Sequence, residues 1–370
     1  MHFANEIVKP SVEHKFSKQT PQNWVNAALK ELDGGELEKL VFENAGLLFK
    51  PYNTHADVLL PLISPLPVST QPFSNPRHWI NMPKVLVEDS KEANATALFH
   101  LQNGADGIYF EMKDPSAKAK QLLDKIELPY CSVSFLVNEA SIDFLQSFVS
   151  FAESKFDRSK ISGTIFCKNY PGSFDVNQFR GWKSFRASGL IIEQHPDSAT
   201  EIAEALDDAV NRMEILLGKG WKIEEAAMQI SFSVIIGADF FLEAIKLRVL
   251  RALWGTILHA YQINSDSPVF IHAISKSEVK ANFQPHGNLI KETFSALSAI
   301  IGGCDGVTVE PEDEKNAMMN RVARNTSSVL RDESFLSRVS DPLAGSYFVE
   351  SLSNQLAEKA WKRFQDLTKK

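Results

Sequence analysis

From residue 77 onward the chain alternates between two kinds of apolar pattern. Short β-branched and aromatic runs of strand length fall at 78–82, 107–112, 131–137, 163–167, 187–193, 229–236, 269–274 and 306–310. Between them apolar residues recur every three or four positions, predicting helices at 88–103, 117–125, 140–153, 198–217, 240–261 and 288–301. The interval between the fourth and fifth strands is short and holds Pro171-Gly172, leaving room for a turn or two of helix. Eight strands, each followed by a crossover, predict an α/β fold of (β/α)₈ TIM type, a closed parallel barrel. The 240–261 helix shows the expected packing. Asp239 can cap it, and Leu242, Ile245, Val249, Leu250 and Leu253 face the strands. Glu243 and Lys246 fall one turn apart on the other side, where a weak surface pair is expected.

Residues 1–76 read as an N-terminal arm and 77–370 as the barrel. Thr20 can cap a helix that starts at Pro21, and Gly34-Gly35 can stop it. Two short strands flank Asn44-Ala45-Gly46, and the proline-rich 61–76 predicts an irregular strap. Further on, Gly302 and Gly303 can end a helix, and 321–326 has a helical pattern. Asp341-Pro342 starts a turn, and Gly345, lacking a Cβ, lets another backbone or side chain come close.

Composition narrows the function classes. With 44% hydrophobic and 23% charged residues the chain is of ordinary globular type. A net charge of −7 argues against nucleic acid as the partner. Cys131, Cys167 and Cys304 are far apart in apolar runs, without metal-ligand spacing, as expected of thiols in a reducing cytosol. The first residues lack the apolar core of a signal peptide, and no run approaches a membrane span. A cytoplasmic protein with no metal and no membrane partner is expected.

Arg324-Asn325-Thr326, followed by Asp341, Pro342, Gly345, Ser346, Tyr347 and Glu350, resembles the methylmalonyl-CoA mutase family. "FFLEAIKLR" at 240–248 is similar to the same family. "CDGVTVEP" and "NRVARNT" resemble the small, non-cobalamin-binding subunit of its two-chain members. The resemblance implies a barrel whose N-terminal segment reaches across to a partner subunit; a strap over its own barrel is the alternative. In catalytic members the substrate's pantetheine arm threads the barrel axis. Adenosylcobalamin sits above the mouth, on a domain with an Asp-x-His-x-x-Gly motif. That motif is absent from these 370 residues, so the cofactor is expected in a partner subunit, with no cobalamin-binding domain here.

The resemblance also implies which strand ends would form a site. The family's Tyr-His positions are Leu190 and Ile191 here, so no catalytic residue is expected. Its Thr-Ile-Gln-Asn becomes Thr164-Ile165-Phe166-Cys167, and in its Arg-x-His-x-Gln only His272 survives, between Phe270 and Ile274. These changes run from polar to apolar and predict an axis filled by Phe, Ile and Leu. His272, Gln284 and Lys276 are the candidate substrate-binding residues, a buried structural histidine being the favoured reading of His272. His195 reads as a loop residue. His286 reads as a cap or phosphate contact at a helix start, and Lys280 and Arg77 as scattered phosphate candidates. The implied function is a non-catalytic partner of a large, cobalamin-carrying subunit that interconverts methylmalonyl-CoA and succinyl-CoA. The alternatives are an acyl-CoA mutase barrel completed by a separate cobalamin-binding chain, or a stand-alone homodimeric binding protein.

Overall fold

The structure is a computed structural model that describes residues 19–58, 66–68, 75–169, 174–263, 269–276, 287–314 and 316–369. Helix α1 (Pro21–Glu31) begins where Thr20 Oγ1 accepts the Asn23 N–H and Pro21 takes the first position. Strands β1 (Phe42–Asn44) and β2 (Leu47–Phe49) pair antiparallel. Ala45 and Gly46 join them at φ 49° and 73°, the two positive angles that a tight hairpin needs.

The main sheet comprises β3 (Ile80–Asn81), β4 (Lys84–Val87), β5 (Gly107–Met112), β6 (Ser132–Val137), β7 (Ser162–Cys167), β8 (Ser184–Ile192), β9 (Ile230–Ile236), β10 (Phe270–Ser275) and β11 (Gly306–Val309). Its order is β3-β11-β10-β9-β8-β7-β6-β5-β4, with every pair parallel. The two ends of that order are consecutive in the chain. Met82 and Pro83 interrupt one extended stretch, because proline has no N–H for the ladder. The part before the break pairs with β11 and the part after it with β5, which closes the ring as a (β/α)₈ barrel. The sequence pattern placed all eight strand positions, but it ended the first at residue 82 and missed the half beyond the proline.

Helices α2 (Ser90–Gln102), α3 (Ala119–Leu122), α4 (Ile142–Lys155), α5 (Ser198–Gly218), α6 (Ile223–Met228), α7 (Phe240–Ala260), α8 (Gly287–Gly302), α9 (Ala317–Ser328) and α10 (Tyr347–Thr368) accompany the strands. Among the described residues between β7 and β8 a 3₁₀ turn stands at Val176–Phe179, in keeping with the short interval. The pattern missed α6, whose six residues are too few to show a period.

One expectation about α7 is overturned. Its Asp239 cap forms, with Oδ1 accepting the Leu242 N–H at 3.1 Å, and the apolar face is buried as expected. Glu243 and Lys246, however, are only 6% and 2% exposed, because α5, α8 and α10 also pack on α7. Lys246 Nζ lies 2.7 Å from both Glu201 Oε2 and Glu243 Oε2. Burial works against the lysine charge, but the two carboxylates outweigh it and hold its pKa above the ordinary value.

Arg248, on the same helix, meets the 341–350 segment. Its Nη1 donates to both Asp341 oxygens at 2.7 Å, and its Nη2 lies 3.8 Å from Glu350 Oε1. Asp341 also accepts the N–H groups of Leu66, Leu343 and Ala344 at 3.0, 3.2 and 3.1 Å. At Leu66, then, the strap lies on its own barrel. Ser346 caps α10. Gly345 does not serve close approach, since a Cβ there meets nothing within 4 Å; its φ of 81° is what calls for glycine.

Asp341→Ala strands a buried guanidinium and is expected to lower the unfolding free energy by roughly 3–5 kcal/mol. Urea denaturation checks this. A loss below about 1 kcal/mol would show that the ion pair does not hold these segments together.

The barrel interior as candidate site

Strand alternation sorts the predicted site residues into two groups. Met82, Tyr109, Phe166 and Phe270 pack together inside the ring, with Ile80, Leu136, Ile191 and Ile274 against them. Leu190, Ile165, Ile271 and Ala273 belong to the outer core between strands and helices. Leu190 therefore does not fill the axis, while Ile191, Phe166, Phe270 and Ile274 do. Two glycines make room for the rings. A Cβ on Gly189 would lie 2.6 Å from Phe166 Cδ1, and one on Gly306 would lie 2.9 Å from Met82 Sδ and 3.1 Å from Phe270 Cζ. Large side chains on some strands thus fit against missing ones on others.

His272 sits at the centre of this packing, fully buried. The Tyr109 and Phe166 ring centroids lie 4.8 and 5.5 Å from its own. Its Nε2 is 2.8 Å from Thr308 Oγ1 and its Nδ1 is 3.2 Å from Ser233 Oγ. Thr308 donates its hydroxyl proton to the Met82 carbonyl, so it accepts from His272 Nε2–H. That fixes the neutral tautomer, with Nδ1 accepting from Ser233. Burial pushes the imidazole down to about 3. Both ring nitrogens are engaged, and neither is left to meet a thioester. The Thr164 and Ser231 hydroxyls are buried among the rings without a hydrogen-bond partner among the described residues.

An ionic cluster covers the C-terminal mouth. Lys84 Nζ lies 2.6 Å from Glu310, 2.7 Å from Glu314 and 3.8 Å from Glu111. Burial opposes its charge, but Glu310 and Glu314 more than compensate and raise its pKa. Beside the mouth, on α8, the Glu292 carboxyl is 2% exposed. Burial first, then Glu312 and Glu310, push it up to about 8. With Lys113 paired to Glu111 as well, three carboxylates and two ammonium groups leave the cluster net negative, which suits phosphates poorly.

The family model for methylmalonyl-CoA mutase matches residues 173–370. The chain belongs to the methylmalonyl-CoA mutase family. It is 34% identical to the methylmalonyl-CoA mutase small subunit of Streptomyces virginiae over 97% of its length, and 28% identical to that of Porphyromonas gingivalis over 96%. The methylmalonyl-CoA mutase of Rhizobium meliloti is 33% identical over 65% of this chain. The chain spans 64%, 64% and 38% of those relatives' own lengths. Among solved structures, dihydropteroate synthase of Yersinia pestis superposes loosely, at TM-score 0.38 and 14% identity over 80% of this chain and 99% of that one. The barrel assignment rests on the strand order above.

Within this mutase-family barrel two of the three candidate substrate residues are among the described ones. His272 is inside the ring, and Lys276 is exposed just beyond β10. Gln284, Lys280 and His286 lie outside the described residues. Arg77 is a correction. It is buried at the opposite end, where it donates to the carbonyls of Cys304 and His78. His195 is a loop residue whose Nδ1 accepts the Asp197 N–H at 3.0 Å. Tyr109, Ser233, Thr308 and Lys84 were missed, because each gains meaning only from the register between strands. Among the described residues no His, Cys, Asp and Glu cluster could hold a metal, and no helix is long and apolar enough to cross a membrane. Outside the ring, a cleft of about 550 Å³ separates α2 from α9, lined by Lys84, Glu92, Phe99, His100 and Asn320 among others.

The pH dependence of stability follows from His272. The unfolded chain takes up this proton near pH 6.5, whereas the native imidazole resists it down to about pH 3. Its contribution is complete above pH 6.5 and is lost as the pH falls toward 3, by up to ~1.4 kcal/mol per pH unit. Denaturant titrations at stepped pH should show His272→Gln with a shallower acid slope than the unmodified protein. Identical slopes would mean that the native imidazole is protonated normally.

Proposed function

We propose that this chain is a small-subunit-type, non-catalytic partner of a cobalamin-carrying chain, the pair interconverting methylmalonyl-CoA and succinyl-CoA. The observation that carries this reading is the filled interior. Phe166 lies against Gly189, Phe270 and Met82 lie against Gly306, and His272 is committed to Ser233 and Thr308. A pantetheine arm down the axis would have to displace all of them. The family likeness and the small-subunit names of two relatives support the partner role.

Adenosylcobalamin does not fit the residues present at the mouth. Lys84 and three glutamates occupy it, and the one histidine described in the loop after β8 has its Nδ1 engaged by backbone. The chemistry is therefore assigned to the partner, and no step is routed through this barrel. A barrel completed by a separate cobalamin chain would need an open axis, which Phe166 and Ile191 oppose. A cytoplasmic heterodimer is the assembly that this reading implies, with the fold serving as a scaffold.

Co-expression with a large mutase chain is expected to give one complex on size exclusion, with the large chain losing yield or activity when expressed alone. Calorimetry with methylmalonyl-CoA and this chain alone should show no binding. A large chain that is equally soluble and active without this protein, with no complex formed, would overturn the proposal.

A further inference from the structure

Glu292, on α8, is a carboxyl that the fold encloses without answering. It is 2% exposed, and its Oε1 is buried without a hydrogen-bond partner among the described residues. Its place at the mouth is fixed through Ser275, the last residue of β10. Ser275 Oγ donates to the Glu292 carbonyl at 2.9 Å, and the Ser275 carbonyl accepts the Glu310 N–H at 3.1 Å. The first half of α8 thus sits beside the loop that follows β11, which carries Glu310, Glu312, Asp313 and Glu314.

The described cations of the neighbourhood are committed elsewhere. Lys84 is taken by Glu310 and Glu314. On α7, Lys246 sits between Glu201 and Glu243. On α9, Arg324 lies against His100 and Phe99 of α2, and Arg321 is exposed. Lys276 beyond β10 and Lys291 on α8 itself are also exposed. Strands β9 and β11 carry no ionisable side chain, and His272 of β10 lies inside the ring. What acts on Glu292 is burial, then Glu312 and Glu310, and all three oppose its ionisation. A carboxylate there would lack solvent, a donor to Oε1 and a counter-ion, so the group keeps its proton where surface glutamates have lost theirs.

The second half of α8 is held differently. Ser295 Oγ donates to the Gly237 carbonyl at 2.8 Å, and Ser298 Oγ donates to the Phe240 carbonyl at 2.6 Å. Neither bond involves a titrating group. A charge on Glu292 would press on the first half of the helix and on the Ser275 link, and would leave the second half in place.

We propose that Glu292 is a proton-operated latch at the barrel mouth: with its proton it lets the first half of α8 close over the ends of β10 and β11, and without it that half lifts from them. The latch uses residues of this chain alone and does not depend on the partner role proposed above. The unfolded chain releases the Glu292 proton near pH 4.5, the native fold only near pH 8. The stability supplied by the protonated group is whole below pH 4.5 and falls as the pH rises to 8.

Above pH 6.5 the His272 contribution is constant, so the window from there to pH 8 reads Glu292. Denaturant titration of the full chain in that window should show the unfolding equilibrium constant rising by up to about tenfold per pH unit more than in Glu292→Gln, whose amide keeps the shape and has no proton to lose. Amide exchange, corrected for its intrinsic pH dependence, should show residues 291–294 losing protection as the pH passes 8 in the unmodified chain and keeping it in Glu292→Gln, while 297–301 hold in both. Glu312→Gln removes a repelling carboxylate, so the same loss should begin at lower pH; this variant keeps the test open should Glu292→Gln not fold. Equal slopes in the unmodified and Glu292→Gln chains, unchanged protection of 291–294 above pH 8, or an unmoved midpoint in Glu312→Gln would overturn the proposal.

Discussion

The buried ion pair between Arg248 and Asp341 is the constraint on which the rest of the structure leans. It joins three stretches far apart in the chain: the strap at Leu66, the middle of α7, and the turn that starts α10. Three further N–H donors satisfy the Asp341 carboxylate, while Arg248 meets both of its oxygens through Nη1 and keeps Nε and Nη2 buried without a hydrogen-bond partner among the described residues. Leu66 also covers Gly303, where a Cβ would lie 2.6 Å from its Cδ2. The residues that most clearly mark the family are therefore clasps of the fold.

The interior follows the same logic by packing. Phe166 and Phe270 each face a position where a neighbouring strand carries no side chain, and the histidine among them is closed off by two hydroxyls. Above them Lys84 gathers carboxylates from β5 and from the loop after β11. Ring packing, a neutral imidazole and an ionic cover all oppose the passage of a long polar ligand, and they do so independently.

Much of this was legible in the sequence, and the failures have identifiable causes. Strand and helix periods survive in single sequences because each strand here is bounded by turn residues and buried on both faces. Pro83 hid half a strand, since proline argues against a ladder everywhere except at such a break. Glu243 and Lys246 read as surface because a helical wheel shows one buried face, whereas α7 is covered by three helices. Leu190 and Ile191 could not be assigned to faces without the register of β8 against β7, which shifts at a bulge there. His272 stood out, but its partners Ser233 and Thr308 come from other strands and carry no local signal.

The broken first strand has one more consequence. The ring is joined across β3 and β4 by two short ladders, two residues long on the β11 side and four on the β5 side. The two-residue ladder between β3 and β11 is the shortest joint of the barrel among the described residues. Local opening begins where the fewest bonds must part, so backbone amides along this seam should exchange with solvent ahead of those of the opposite wall. A barrel with such a seam breathes along one line, like a stave loosened in a cask.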